Sequence, residues 1–209
     1  MKNKIKAVNV TNQQGFTLIE LVIVVVILGF LAVTAIPKFI DLTEQAKQAN
    51  IEGMAGGFAT GVSLVRAQWE SEGRPTANNI NRVDYDGTYF VLTTPTATTA
   101  PTIRAGYPTG TNTSNATGER MNNTRCLELW NGIYQQPPTI TDSVTNLNDS
   151  TQNFDYLVDT NVNFCVFYLK ETLNRNEAGE FIDPAGSLSI GNNFTYDSAN
   201  SSVVVTINN

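Results

Sequence analysis

The sequence predicts an α+β fold in which one long N-terminal α-helix carries a C-terminal head built on an antiparallel β-sheet, and three observations predict it. From Phe16 to Ile36, 21 residues include only Thr17, Glu20 and Thr34 as polar side chains, enough as a helix to cross a hydrocarbon core of about 30 Å. Beyond Pro37 the apolar positions Phe39, Leu42, Ala46, Met54, Phe58, Val62, Val65 and Trp69 recur mostly every third or fourth residue, with Lys47, Glu52, Arg66 and Glu70 between them. That spacing marks an amphipathic helix. Toward the C-terminus, FDYLV at 154–158, NFCVFYLK at 163–170, NFTYD at 193–197 and SVVVTI at 202–207 have the aromatic and β-branched composition of strands.

Residues 1–15 carry Lys2, Lys4 and Lys6 and no acid, which reads as a targeting segment rather than as structure. Three lysines ahead of the apolar run put this leader in the cytoplasm and everything beyond Pro37 outside. Within the run, Glu20 is the one charged side chain. A carboxylate at membrane depth costs roughly 2.5 to 3.5 kcal/mol, so it needs a partner in its working state, and the N-terminal amine of a neighbouring copy is the expected one. An ordinary secretory signal cut after Ala35, with Val33 and Ala35 as its small residues, is the alternative. Its apolar core would run about 7 to 15 residues, shorter than this one, and would have no use for Glu20.

GFTLIE at 15–20, followed by the apolar run, Gly29 and Pro37, resembles the type IV prepilin signature. The resemblance implies a pilin fold, cleavage between Gly15 and Phe16 by a prepilin peptidase, and N-methylation of Phe16. It also implies a single-pass protein of the bacterial inner membrane, N-terminus in, that meets an inner-membrane assembly platform. From there it polymerises, alone or with other pilins, into an extracellular filament for adhesion, surface attachment or motility. In such filaments Glu20 neutralises the methylated amine of Phe16 on an adjacent subunit and fixes register, and the stretch from Gly29 to Pro37 unwinds. LGFLAVTAIPKFIDLTEQAKQ at 28–48 and GGFATGVSLVRAQWESEGRP at 56–75 further resemble the mannose-sensitive haemagglutinin (MSHA) group of pilins, in particular its accessory MshB-type subunit. Two rivals stand beside this reading. A pseudopilin of a type II secretion machine shares the helix, and a membrane-anchored binding protein that never polymerises predicts no cut at Gly15 and indifference to Glu20→Ala.

The expected organisation is a leader at 1–15, a transmembrane and filament-core helix at 16–36, an amphipathic helix at 37–72 and a globular head at 73–209. The two helical parts join into about 55 residues, or about 80 Å. Pro37 lacks a donor and predicts a kink. Gly53, Gly56, Gly57 and Gly61 crowd the amphipathic part, each costing about 0.5 to 1 kcal/mol against alanine, so a sheet or second helix is expected to approach their side-chain-free face. SEGRPTANN at 71–79 ends the helix. DYDGTYFVLT at 84–93 reads as a turn at Asp86–Gly87 leading into a strand that joins the sheet. From Thr93 to Gly118 ten threonines and three prolines predict an exposed loop. CLELWNGIYQ at 126–135 reads as a short helix or turn ended by Pro137 and Pro138.

The chain has no histidine, which excludes imidazole acid–base chemistry, histidine-dependent nucleophiles and histidine-bearing zinc centres. Lys38, Lys47 and Lys170 are the lysines left after the leader and none lies in a Ser-x-x-Lys setting. Asp84 and Asp86 match the opening of a calcium loop but lack its third ligand and distal glutamate. No enzyme activity, metal or cofactor is expected. Removing the leader takes three of thirteen basic residues and none of nineteen acidic ones, moving the formal charge from −6 to −9, which disfavours nucleic acid; Arg120 and Arg125 make a poor basic patch. The Asn-x-Ser/Thr triplets at Asn115 and Asn122 read as composition. Cys126 and Cys165 are the only cysteines, and export predicts an intrachain disulfide closing a loop of about 40 residues, worth roughly 4 kcal/mol. Two buried free thiols are the alternative.

Overall fold

The computed structural model describes residues 15–96, 102–111 and 121–208. The lysine-bearing leader up to residue 14, Asn115, Arg120 and part of the threonine-rich segment lie outside these residues. The chain forms two compact units, one up to Glu44 and one from Gln45 onward, and helix α1, Leu18–Ser71, contributes to both.

In the N-terminal unit the large apolar side chains from Phe16 to Leu42 are exposed, from 47% at Val22 to 86% at Phe16. In the second unit, α1 buries Ile51, Ala55, Phe58, Val62, Val65 and Trp69, four and three residues apart in alternation. The expected stripe is thereby corrected at its start: Phe39, Leu42 and Ala46 are exposed and Met54 is half-buried. Phe58 sets the buried face, because its ring lies 5.2 to 5.9 Å from those of Tyr134, Phe167, Phe194 and Tyr196. One and two turns back along that face stand Ala55 and Ile51. The helix closes on a Schellman motif, in which Arg74 N–H donates to Trp69 O (2.9 Å) and Gly73 N–H to Glu70 O (3.2 Å). Gly73 takes the left-handed conformation this requires, at φ 81°.

Strands β1 (Thr76–Ala77), β2 (Ile80–Tyr85), β3 (Thr88–Leu92) and β4 (Pro108–Gly110) form one antiparallel sheet in that order. Asp86–Gly87 is the two-residue turn between β2 and β3, both residues at positive φ (51° and 78°), as a primed turn demands. Helix α2 (Asn123–Ile133) begins at an Asn122 cap that accepts from Arg125 N–H. After it come β5 (Ile140–Thr141), the single-turn helix α3 (Val144–Leu147), β6 (Tyr156–Asn161), β7 (Phe164–Leu169), β8 (Asn193–Asp197) and β9 (Ser202–Thr206). These five strands make a second sheet in chain order, antiparallel except for the short β5–β6 pair. The strand near Phe90, expected in the same sheet, belongs to the first one.

The second sheet is covered on both faces. Tyr156, Val158, Cys165, Phe167, Phe194 and Tyr196 pack with α1 and α2 in the main core. Leu157, Val166 and Tyr168 point the other way, into a smaller core with Leu147, Leu173 and Phe181. The alternation follows from the pleat, which sends successive side chains to opposite faces. It also explains why NFCVFYLK reads as an unbroken apolar run. Cys126 on α2 and Cys165 on β7 are bonded to each other and fully buried, tying the helix to the sheet.

The exposed loop expected over Thr93–Gly118 is corrected at its centre. Thr93, Pro108, Thr109 and Gly110 are buried. Thr93 exchanges backbone hydrogen bonds with Tyr107 and Gly106, its hydroxyl donates to Arg104 O, and Tyr196 donates its phenol to Pro108 O at 2.8 Å. A β-carbon on Gly106 would stand 2.3 Å from the Trp69 ring. Small residues admit this approach, so burial here comes from the partners and leaves no apolar pattern in the segment itself.

Candidate functional site

The N-terminal unit holds the residues singled out for processing and assembly. Gly15, Phe16 and Thr17 precede the first helical residue in irregular backbone, so the Gly15–Phe16 bond lies outside the helix. Thr17 is the residue at which the helix starts. Its backbone N–H and its hydroxyl both donate to Glu20 Oε2, at 2.9 and 2.7 Å, and its hydroxyl oxygen accepts from Glu20 N–H at 3.3 Å. This is a capping box, in which the cap residue and the third helical residue satisfy each other's orphan donors. A carboxylate in the first turn also faces the positive end of the helix dipole.

Both donors from Thr17 reach the same oxygen. Among the described residues no donor is drawn to Glu20 Oε1. In one chain, therefore, the carboxylate is half satisfied, and its second oxygen is open to a cation from elsewhere. Thr17 joins Glu20 at this site through the Thr-x-x-Glu spacing ahead of an apolar run, which is itself a capping-box signal in the sequence.

Gly29 and Pro37 lie further along α1, which is helical through both. Among the described residues, nothing beyond its chain neighbours and the helix's own backbone stands within 4 Å of where a β-carbon on Gly29 would be. Pro37 has no N–H for the carbonyl of Val33, and the nearby Thr34 hydroxyl turns back to Leu31 O at 2.9 Å. The exposed apolar surface on either side is long enough, by length and composition, to cross a membrane.

In the second unit, Asp84 lies on β2 and Asp86 in the turn that follows. Among the described residues no group of three or more His, Cys, Asp or Glu side chains is placed to hold a metal ion. The helix glycines divide: the ring of Tyr134 lies 3.4 Å and a methyl of Ile133 lies 2.3 Å from the β-carbon positions of Gly57 and Gly61, while Gly53 and Gly56 face open space.

Residues 10–36 match a family model described as the prokaryotic N-terminal methylation motif. The chain is 43% identical over 67 residues to the type IV narrow pilus major component PilA5 of Thermus thermophilus, a match covering 32% of this chain and 56% of that protein. It is 39% identical over 67 residues to a fimbrial protein of Moraxella nonliquefaciens, covering 31% and 44%. With the type IV major fimbrial protein FimA of Dichelobacter nodosus it shares 37% over 83 residues, covering 39% and 51%. The chain spans about half the length of the curated relatives it matches. No solved structure matches it.

Proposed function

We propose, from the premise that this chain belongs to the type IV pilin and fimbrial family, that it is a filament subunit. It is a structural protein rather than an enzyme. A prepilin peptidase cuts between Gly15 and Phe16, Phe16 is N-methylated, and the apolar half of α1 anchors the subunit in the inner membrane with its N-terminus inside. The subunit then passes through the assembly platform into an extracellular pilus, where its head faces outward. Adhesion, surface attachment or motility belongs to the assembled fibre.

One observation carries the reading: an exposed apolar helix whose single charge, Glu20, has one oxygen engaged by Thr17 and the other unbonded. Packing that helix among copies of itself removes the exposed area from water or lipid, and the Phe16 amine of a neighbour supplies the missing cation. Breaking one partner of such a pair in a low-dielectric bundle costs about 3 to 5 kcal/mol, which makes it a register device. Within the family, likeness to the MSHA group at 28–48 and 56–75, together with the Cys126–Cys165 strap, favours a pilus over a type II secretion pseudopilus. Mass spectrometry of the N-terminus in fibres sheared from cells tests this. N-methylated Phe16 in a fibre supports it; a terminus at Ile36, or a chain found only in the membrane, refutes it.

A further inference from the structure

On the far face of the second sheet, a cavity of about 370 Å³ opens between the segment after α3 and the loop that follows β7. That volume lies in the range of small-ligand sites, about 300 to 1,000 Å³. Its walls are fixed by Asn148, whose side-chain amide donates to Phe181 O at 3.0 Å and whose Oδ1 accepts from Phe181 N–H at 2.7 Å. Two cations meet on the Phe181 ring there. The Arg175 guanidinium stacks 3.8 Å from the ring centroid and the Lys170 ammonium stands 5.5 Å from it.

Arg66 and Arg74 both pair with Glu70. Arg175 is held by one hydrogen bond to Gly179 O, leaving most of its fork open. Lys170 has no side-chain acceptor or ion pair among the described residues. The acids in the same wall are engaged locally: Asp149 accepts from Thr151 N–H, the Thr151 hydroxyl and the Gln152 amide, and Glu180 accepts from Asn176. The wall thus sets two cations that have no ion-pair partner among the described residues beside two carboxylates, Asp149 and Glu180, already hydrogen-bonded to neighbouring groups, in a concave, mostly polar cavity.

We propose that this cavity binds an acidic saccharide, its carboxylate on Lys170 and Arg175 and its hydroxyls on polar wall groups such as Ser150 and Gln152. Size and polarity fit one or two hydrated sugar units, and the two cations without an ion-pair partner among the described residues fit the acid. Every residue it uses lies on the head of a single chain, so it is testable whether or not the chain polymerises.

The test uses the full chain in detergent micelles, titrated calorimetrically with digalacturonate, with its methyl ester and with acetate. The expected result is saturable binding of digalacturonate, weakened about tenfold or more by esterification, by Lys170→Gln and by Arg175→Gln, and unchanged by Arg74→Gln. Lys170 makes no side-chain hydrogen bond, so Lys170→Gln keeps the fold, as near-ultraviolet dichroism would verify, and decides the matter if Arg175→Gln disturbs the loop. Absence of saturable binding, equal affinity in Lys170→Gln, equal affinity for the ester, or displacement by acetate at matching carboxylate concentration would overturn the proposal.

Discussion

Thr17 and Glu20 clasp each other across the first turn of α1, and the clasp occupies Oε2 of the carboxylate while leaving Oε1 without a donor. One side chain thus serves two tasks: it caps its own helix, and it offers a charge to a neighbour. The two tasks are separable by mutation. Thr17→Ala removes the cap at a cost of about 0.5 to 2 kcal/mol to the helix start and is expected to leave fibre incorporation largely intact. Glu20→Gln keeps an acceptor for Thr17 but no charge, and is expected to leave cleavage after Gly15 intact while lowering incorporation sharply. Quantifying processed chain and sheared fibre in each variant checks this, and equal losses in both would reduce Glu20 to a cap.

Helix glycines give the second prediction. Gly61→Ala places a methyl 2.3 Å from Ile133 Cγ2, so it is expected to destabilise the head by about 1 to 3 kcal/mol, with partial recovery on adding Ile133→Ala. Gly53→Ala meets nothing and is expected to gain about 0.5 to 1 kcal/mol. Thermal unfolding of the three variants in detergent reads the difference.

The Cys126–Cys165 bond joins α2 to the central strand of the second sheet, 39 residues apart in sequence. Cys165→Ser is expected to lower stability by roughly 3 to 4 kcal/mol, seen as a lower urea midpoint. Reductant is expected to shift the unmutated chain and not the variant.

Buried tyrosines set an alkaline limit. Burial pushes the phenols of Tyr156, Tyr168 and Tyr196 well above their ordinary range, with the nearby charges of Asp155, Asp159 and Asp197 respectively acting the same way. Because the folded-state values are raised, the stability they confer is fully present below about pH 10 and is lost as the pH climbs past the unfolded value toward the folded one. The unfolding temperature is expected to fall steeply above pH 10, with phenolate absorbance from these residues appearing together with unfolding.

Much of this architecture is legible in the residues themselves. The apolar run and the three-and-four spacing around Phe58 specify α1, and NFCVFYLK specifies a strand buried on both faces. Other parts are invisible because their burial is supplied by distant partners. Thr93 and Pro108–Gly110 look like loop, and become core only through Trp69, Tyr107 and Tyr196. Nothing local announces that the strand at Phe90 leaves the main sheet, since strand composition carries no information about pairing. The cavity at Lys170 and Arg175 depends on Asn148 reaching 33 residues along the chain to Phe181, which no spacing rule anticipates. The capping box at Thr17 and Glu20, by contrast, is local: Thr-x-x-Glu at the head of an apolar run carries it in the sequence itself.

Electron cryomicroscopy of fibres sheared from cells, with the subunit traced from its N-terminus, tests the account most directly. The predicted result is a Glu20 carboxylate within about 4 Å of the methylated Phe16 amine of an adjacent copy, the range of an ion pair. Fibres in which that amine lies far from every Glu20 would contradict it.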